Sequence, residues 1–234
     1  MRFVRWTVFG VVIIAGVIGI AVSLLNHPGD AAMLEDVEGY EVHDKVIRFN
    51  KETPRAHVVF YPGGLVDPMA YVAFGEALHQ HGMDVMIMRM PFNLAILDRY
   101  AFDDVYEHTD APWIIGGHSL GAASAAYVVE NRATVDGYFI LGGYPPQSID
   151  LREKDIPILS LVAQNDEVMD WDSFEARKTN LPASTEYVTI EGGNHAQFGY
   201  YGPQRGDGEA SISPKRQHEL SVEAFIERFS SLLD

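Results

Sequence analysis

The chain has no cysteine among its 234 residues. That excludes disulfides and agrees with an exported bacterial domain. Basic residues are scarce too: 17 Lys and Arg stand against 33 Asp and Glu, a formal charge of −16. Leaving aside Arg2 and Arg5, 15 basic residues face 33 acidic ones, a formal charge of −18. Such a field disfavours nucleic acid and adhesion to anionic lipid, and solubility accounts for it. No block of like charge is long enough to form a tail, and there is no internal repeat or low-complexity tract. Neither H-E-x-x-H nor a P-loop occurs. His79 and His81 come nearest to a metal pair, but i,i+2 residues on a helix do not face one another. No metal or organic cofactor is expected. Arg205-Gly206-Asp207 reads as a polar turn rather than an adhesion tripeptide.

Only one long apolar run is present. Met1 to Leu25 holds Arg2 and Arg5, no acidic residue, and an uncharged stretch from Trp6 to Leu25. As a helix at ~1.5 Å per residue it would be ~30 Å long, about one hydrocarbon core. A cleaved signal segment usually has a shorter apolar core, and Gly29-Asp30-Ala31 is a poor cleavage site, so an uncleaved transmembrane anchor is the expectation over residues 1–25. Asp30, Glu35, Asp36 and Glu38 follow the span. The amino end should therefore stay in the cytoplasm and the remaining domain lie outside the cell membrane. Residues 26–38 read as a short tether, and residues 39–234 suffice for one domain with a substantial core.

Within that domain the pattern alternates. Tyr40 to Asn50 suggests one or two early strands, with antiparallel pairing as the expectation. Apolar strands follow at His57–Tyr61, Val85–Met88, Pro112–Gly116, Gly137–Leu141, Ile156–Val162 and Glu186–Ile190. Helical patterns lie over Pro68–His81, Leu94–Val105, the stretch after Ser119, and Gln217–Leu233. Nearly all-apolar strands separated by helices indicate an α/β fold: a mostly parallel sheet with helices on both faces. Gly142 to Asp155 is too short for a large lid.

The most informative residues are Gly117-His118-Ser119-Leu120-Gly121, between a buried-strand pattern and a small-residue helix. They read G-x-S-x-G, a serine nucleophile on a tight strand-to-helix turn. The turn strains the backbone, and the flanking glycines remove β-carbons that would collide. Active sites of open α/β sheets form beyond the carboxyl ends of the strands. Two further loops begin there: Ala163-Gln164-Asn165-Asp166-Glu167-Val168, and Glu191-Gly192-Gly193-Asn194-His195.

With YPGGLVDP, GGHSLGAASA, AQNDEVMD and GGNHAQFG in sequence, the chain from about Val58 to Leu233 resembles the α/β-hydrolase superfamily, and its compact family 5 branch above all. The resemblance implies a Ser-Asp-His triad of Ser119, Asp166 (Glu167 being the rival acid) and His195. It implies oxyanion donors from the backbone N–H of Leu120 and from the glycine loop, Gly64 with Leu65 as the alternative. Leu65, Val66, Met69 and Tyr71 are candidates for an apolar acyl wall, and Phe198 to Pro203 for a pocket lining. The expected substrate is a small-molecule acyl compound, a carboxylic ester or relative, with the membrane engaged through the amino-terminal helix. A lyase or perhydrolase would use the same residues, and the fold also hosts non-catalytic binding modules.

Overall fold

The computed structural model describes residues 26–234. The anchor expected over 1–25 lies outside the described residues, among which no helix is long and apolar enough to cross a membrane. Eight strands form one sheet: β1 (Glu41–Val42), β2 (Val46–Phe49), β3 (His57–Tyr61), β4 (Asp84–Met88), β5 (Trp113–His118), β6 (Gly137–Leu141), β7 (Ile158–Ala163) and β8 (Glu186–Ile190). Their order across the sheet is β1-β2-β4-β3-β5-β6-β7-β8. The β1–β2 and β2–β4 pairings are antiparallel and every other pairing is parallel. β3 through β7 are buried along their whole length, as uniformly apolar strands covered on two faces must be.

Helices α1 (Val72–Gln80) and α4 (Pro214–Leu233) cover one face over Phe60, Phe74, Phe139, Phe225 and Phe229. Helix α2 (Leu120–Asn131) covers the other over Tyr61, Trp113 and Tyr138. Its buried stripe is mostly of small residues (Gly121, Ala122, Ser124, Ala125, Ala126), which brings helix and sheet close. Ser213 caps α4 by accepting from Arg216 N–H, and Pro214 follows at the first turn.

Two segments differ from expectation. Leu94–Val105 is not a helix but part of a run of three 3₁₀ turns, Pro91–Asn93, Ala95–Asp98 and Ala101–Asp104. Phe92 and Asn93 hold φ of 54° and Leu94 is extended, which interrupts any helical path. Farther on, the buried Tyr61 hydroxyl accepts from Phe102 N–H and donates to the Arg99 carbonyl, so those backbone groups are satisfied across the fold. Helix α3 (Trp171–Arg177) was not foreseen, although Asp170 caps it by accepting from Ser173 N–H at 3.0 Å. No regular element lies between β6 and β7, in keeping with the absence of a large lid.

Residues 26–38, read as a tether, pack against the domain, first at the glycine loop and then over the helical face. His27 forms a parallel bridge with Val66, its N–H donating to Leu65 and its carbonyl accepting from Asp67. Asn93 donates to the Asn26 side chain at 2.7 Å, and Asp30 N–H donates to the Tyr200 carbonyl at 2.7 Å. Leu34 and Val37 pack on the main core.

Candidate active site

Ser119 sits between β5 and α2 with φ 52° and ψ −120°. Serine is a favourable helix cap, yet here its hydroxyl makes no capping bond, which leaves the oxygen free to project. The strain persists because the turn is pressed onto β3. A β-carbon on Gly117 or Gly121 would overlap the Tyr61 carbonyl, and one on Gly121 would also overlap that of Pro62. Ser119 N–H donates to Leu141 at the end of β6.

The acid and histidine loops meet beside it. Asp166 Oδ2 lies 2.7 Å from His195 Nδ1, and both side chains are buried. Asp166 Oδ1 accepts from Val168 and Met169 N–H, so one carboxylate both shapes its own turn and holds the imidazole. Glu167, the rival acid, is exposed. The end of β6 lies against both residues: a β-carbon on Gly142 would lie 3.2 Å from His195 Nδ1, and one on Gly143 would lie 3.0 Å from the Ser119 carbonyl. Among the described residues no hydrogen bond joins Ser119 Oγ to His195. Such contacts are often long in unliganded enzymes.

Three supports escaped the sequence reading. Asp207, read as part of a polar turn, accepts from Ala196 N–H at 2.8 Å, His195 N–H at 3.3 Å and Glu167 N–H at 3.4 Å. Gln217 of α4 braces Asn194 reciprocally, accepting from its N–H and donating to its carbonyl. The third is Tyr71. Its hydroxyl accepts from Gly63 N–H at 3.0 Å and lies 2.9 Å from His118 Nδ1. The hydroxyl thus ties the glycine loop to the His118 ring. The His118 ring in turn lies 4.4 Å from the His195 ring. Burial pushes His118 well below the ordinary histidine range, with His195 and His218 adding to the effect, so it stays neutral. Tyr71 and Val66 are therefore core residues, not an exposed acyl wall.

The two donors suggested for the glycine loop differ. Leu65, at φ 60°, commits its N–H to the Asn93 carbonyl at 2.7 Å. Gly64 N–H has no partner among the described residues, and a β-carbon there would lie 3.0 Å from the Leu120 side chain. Gly64 and Leu120 are thus neighbours across the turn. Leu120 opens α2, where helix N–H groups lack intrahelical acceptors.

On one flank, a cavity of about 420 Å³ is lined by Asn194, Ala196, Gln197 and Asp207. On the other, a groove of about 530 Å³ runs past Met69, Met90, Pro91 and Asn93. Tyr200 and Tyr201 are largely buried, Tyr201 against His27. His79 is occupied by the Met83 carbonyl and His81 is exposed. A second buried histidine–carboxylate pair, His57–Asp84 at 2.9 Å with Arg48 on the same carboxylate, lies at the amino ends of β3 and β4, opposite the site.

A model of the alpha/beta hydrolase family matches residues 57–219. No curated protein is similar enough in sequence to match. Among solved structures, a ferulic acid esterase from Streptomyces cinnamoneus superposes with a TM-score of 0.61 at 20% identity, over 76% of this chain and 68% of its own. A dienelactone hydrolase from Anabaena variabilis gives 0.59 at 18% identity, over 82% and 95%. Esterase 2 of Thermogutta terrifontis, phosphoramylated by tabun, gives 0.56 at 14% identity, over 82% and 95%.

Proposed function

The chain belongs to the alpha/beta hydrolase family, and on that premise we propose that it is a serine hydrolase acting on a carboxylic ester or related acyl compound. What carries the reading is one juxtaposition. A strained serine with an uncommitted hydroxyl stands at the same strand ends as a buried Asp–His pair at 2.7 Å. His195 Nε2 takes the proton of Ser119 as Oγ attacks the acyl carbonyl. Asp166 fixes the Nδ1–H tautomer and stabilises the imidazolium. The N–H groups of Leu120 and Gly64 receive the developing oxyanion, each such donor being worth roughly 2.7–4 kcal/mol of transition-state stabilisation. His195 returns its proton to the leaving group, and water, deprotonated by the same ring, releases the acyl group from Ser119. The three neighbours add esterase and lactone-hydrolase precedents on this fold, and one of them is modified by an organophosphorus compound.

The same proposal takes the Trp6–Leu25 run as a membrane anchor with the domain outside, a secreted form after signal cleavage being the alternative. The chemistry is tested by labelling the full chain with a fluorophosphonate probe. Labelling should vanish in Ser119→Ala and His195→Ala forms that keep the wild-type circular dichroism. A folded wild type that resists the probe refutes the mechanism.

A further inference from the structure

Eight large apolar side chains are left exposed among the described residues. Two lie away from the strand ends: Tyr100, under the Arg132 guanidinium, and Tyr187, early in β8, which meets Trp171 only through Phe174. The other six gather at the carboxyl ends of the parallel strands, the end that carries Ser119. Phe92, 63% exposed, follows β4 and precedes Asn93, whose carbonyl pins Leu65. Ile96 and Leu97 lie one turn beyond, held by the Leu97 N–H to Leu94. Val42 reaches the same rim, since the hairpin after β1 pairs Lys45 with Arg89 just past β4. Val168 and Trp171 stand beyond β7, on the loop of Asp166. Phe92 keeps its exposure at φ 54°, a costly conformation for a bulky residue.

The chain itself indicates what meets this rim. The uncharged run ends at Leu25, and the next residue, Asn26, is hydrogen-bonded to Asn93. The chain that follows the apolar run therefore enters the described structure beside Phe92. We propose that this rim seats on the bilayer surface, with Phe92 and Leu97 in the lipid interface, so that the site takes acyl esters of membrane-resident lipids from the leaflet. This rests on the anchor and hydrolase readings above. The formal charge of −18 beyond the apolar run selects neutral or zwitterionic lipid and makes apolar insertion the source of the contact.

A chain without cysteine accepts a single labelled thiol. Phe92→Cys and, as control, Tyr187→Cys full-length proteins would carry an environment-sensitive NBD group in phosphatidylcholine vesicles containing doxyl-labelled lipid. The Phe92→Cys label should emit blue-shifted and be quenched severalfold more by the doxyl lipid than the Tyr187→Cys label. Equal quenching, with both labels open to aqueous iodide, overturns the proposal while the protein still floats with the vesicles. A chain that fails to float removes the anchor reading and the proposal with it. In a second arm, Phe92→Asp/Leu97→Asp should lower turnover of a long-chain ester embedded in vesicles about tenfold. Turnover of a water-soluble short-chain ester should stay within about twofold of wild type, as neither residue touches the catalytic groups. Equal losses on both substrates would refute it, and no turnover of either by wild type would fault the hydrolase reading.

Discussion

Replacing Tyr71 by phenylalanine removes one oxygen and almost nothing else, because the ring stays packed on Phe60. That oxygen has two clients, Gly63 N–H at 3.0 Å and His118 Nδ1 at 2.9 Å. Both are buried away from water, so each loses its partner without replacement at about 1–3 kcal/mol. The expected loss of stability is about 2–4 kcal/mol, the lower part of the doubled range, because the glycine loop can relax. Relaxation carries its own penalty. Gly63 precedes Gly64, whose N–H is the donor proposed for the oxyanion, and a partial misalignment should forfeit about 1–2 kcal/mol of the roughly 2.7–4 that such a donor supplies. Turnover of a soluble ester should therefore fall by about fivefold to thirtyfold with KM little changed, since the oxyanion contact matures only in the transition state. Urea unfolding and steady-state kinetics on the same preparation read both effects. A variant as stable as wild type, with kcat within about twofold, would refute the argument that Tyr71 organises the loop.

Other perturbations test separate parts. Asp166→Asn keeps an oxygen for the Val168 and Met169 N–H groups but presents the wrong partner to His195, so kcat should fall by about 10⁴ with circular dichroism unchanged; a fall below tenfold would remove Asp166 from its proposed role. Gly121→Ala drives a methyl into the Tyr61 and Pro62 carbonyls, neither of which can yield without disturbing β3. It should lose about 3 kcal/mol, despite a gain in helix propensity of about 1 kcal/mol, and an unchanged urea midpoint would contradict the close approach. His218 is buried against Tyr200 with neither ring nitrogen partnered, and burial pushes it down to about 3. A histidine depressed in the folded state contributes stability above its unfolded value near 6.5 that is lost as pH falls below it, by up to about 1.4 kcal/mol per pH unit. His218→Phe should flatten that acid limb of the stability curve, and a slope equal to wild type would show that the ring is protonated in the fold.

The strands and the Ser119 turn were legible because their signals are local. Five consecutive buried residues such as Val58 to Tyr61 with His57 announce an interior strand, and glycines flanking Ser119 announce a turn that tolerates no β-carbon. The meeting of Asp166 and His195 was legible through topology, each following a strand at the same edge of the sheet. Tyr71 was read for its apolar ring, whereas its hydroxyl matters through a partner 47 residues away. Asp207 was legible only as polar, because the N–H groups it serves belong to loops that meet in three dimensions. The stretch from Pro91 to Asp104 misled for a related reason: its apolar spacing is helical, but Tyr61 and the left-handed residues Phe92 and Asn93 claim the backbone first.

The bridge of His27 to Val66 gives proteolysis an unexpected meaning. A protease that released the domain by cutting anywhere between Asp30 and Glu38 would separate His27 from the body of the molecule, and with it both hydrogen bonds to Leu65 and Asp67 that frame the glycine loop. A cut in this stretch would then loosen the glycine loop as well as part the chain.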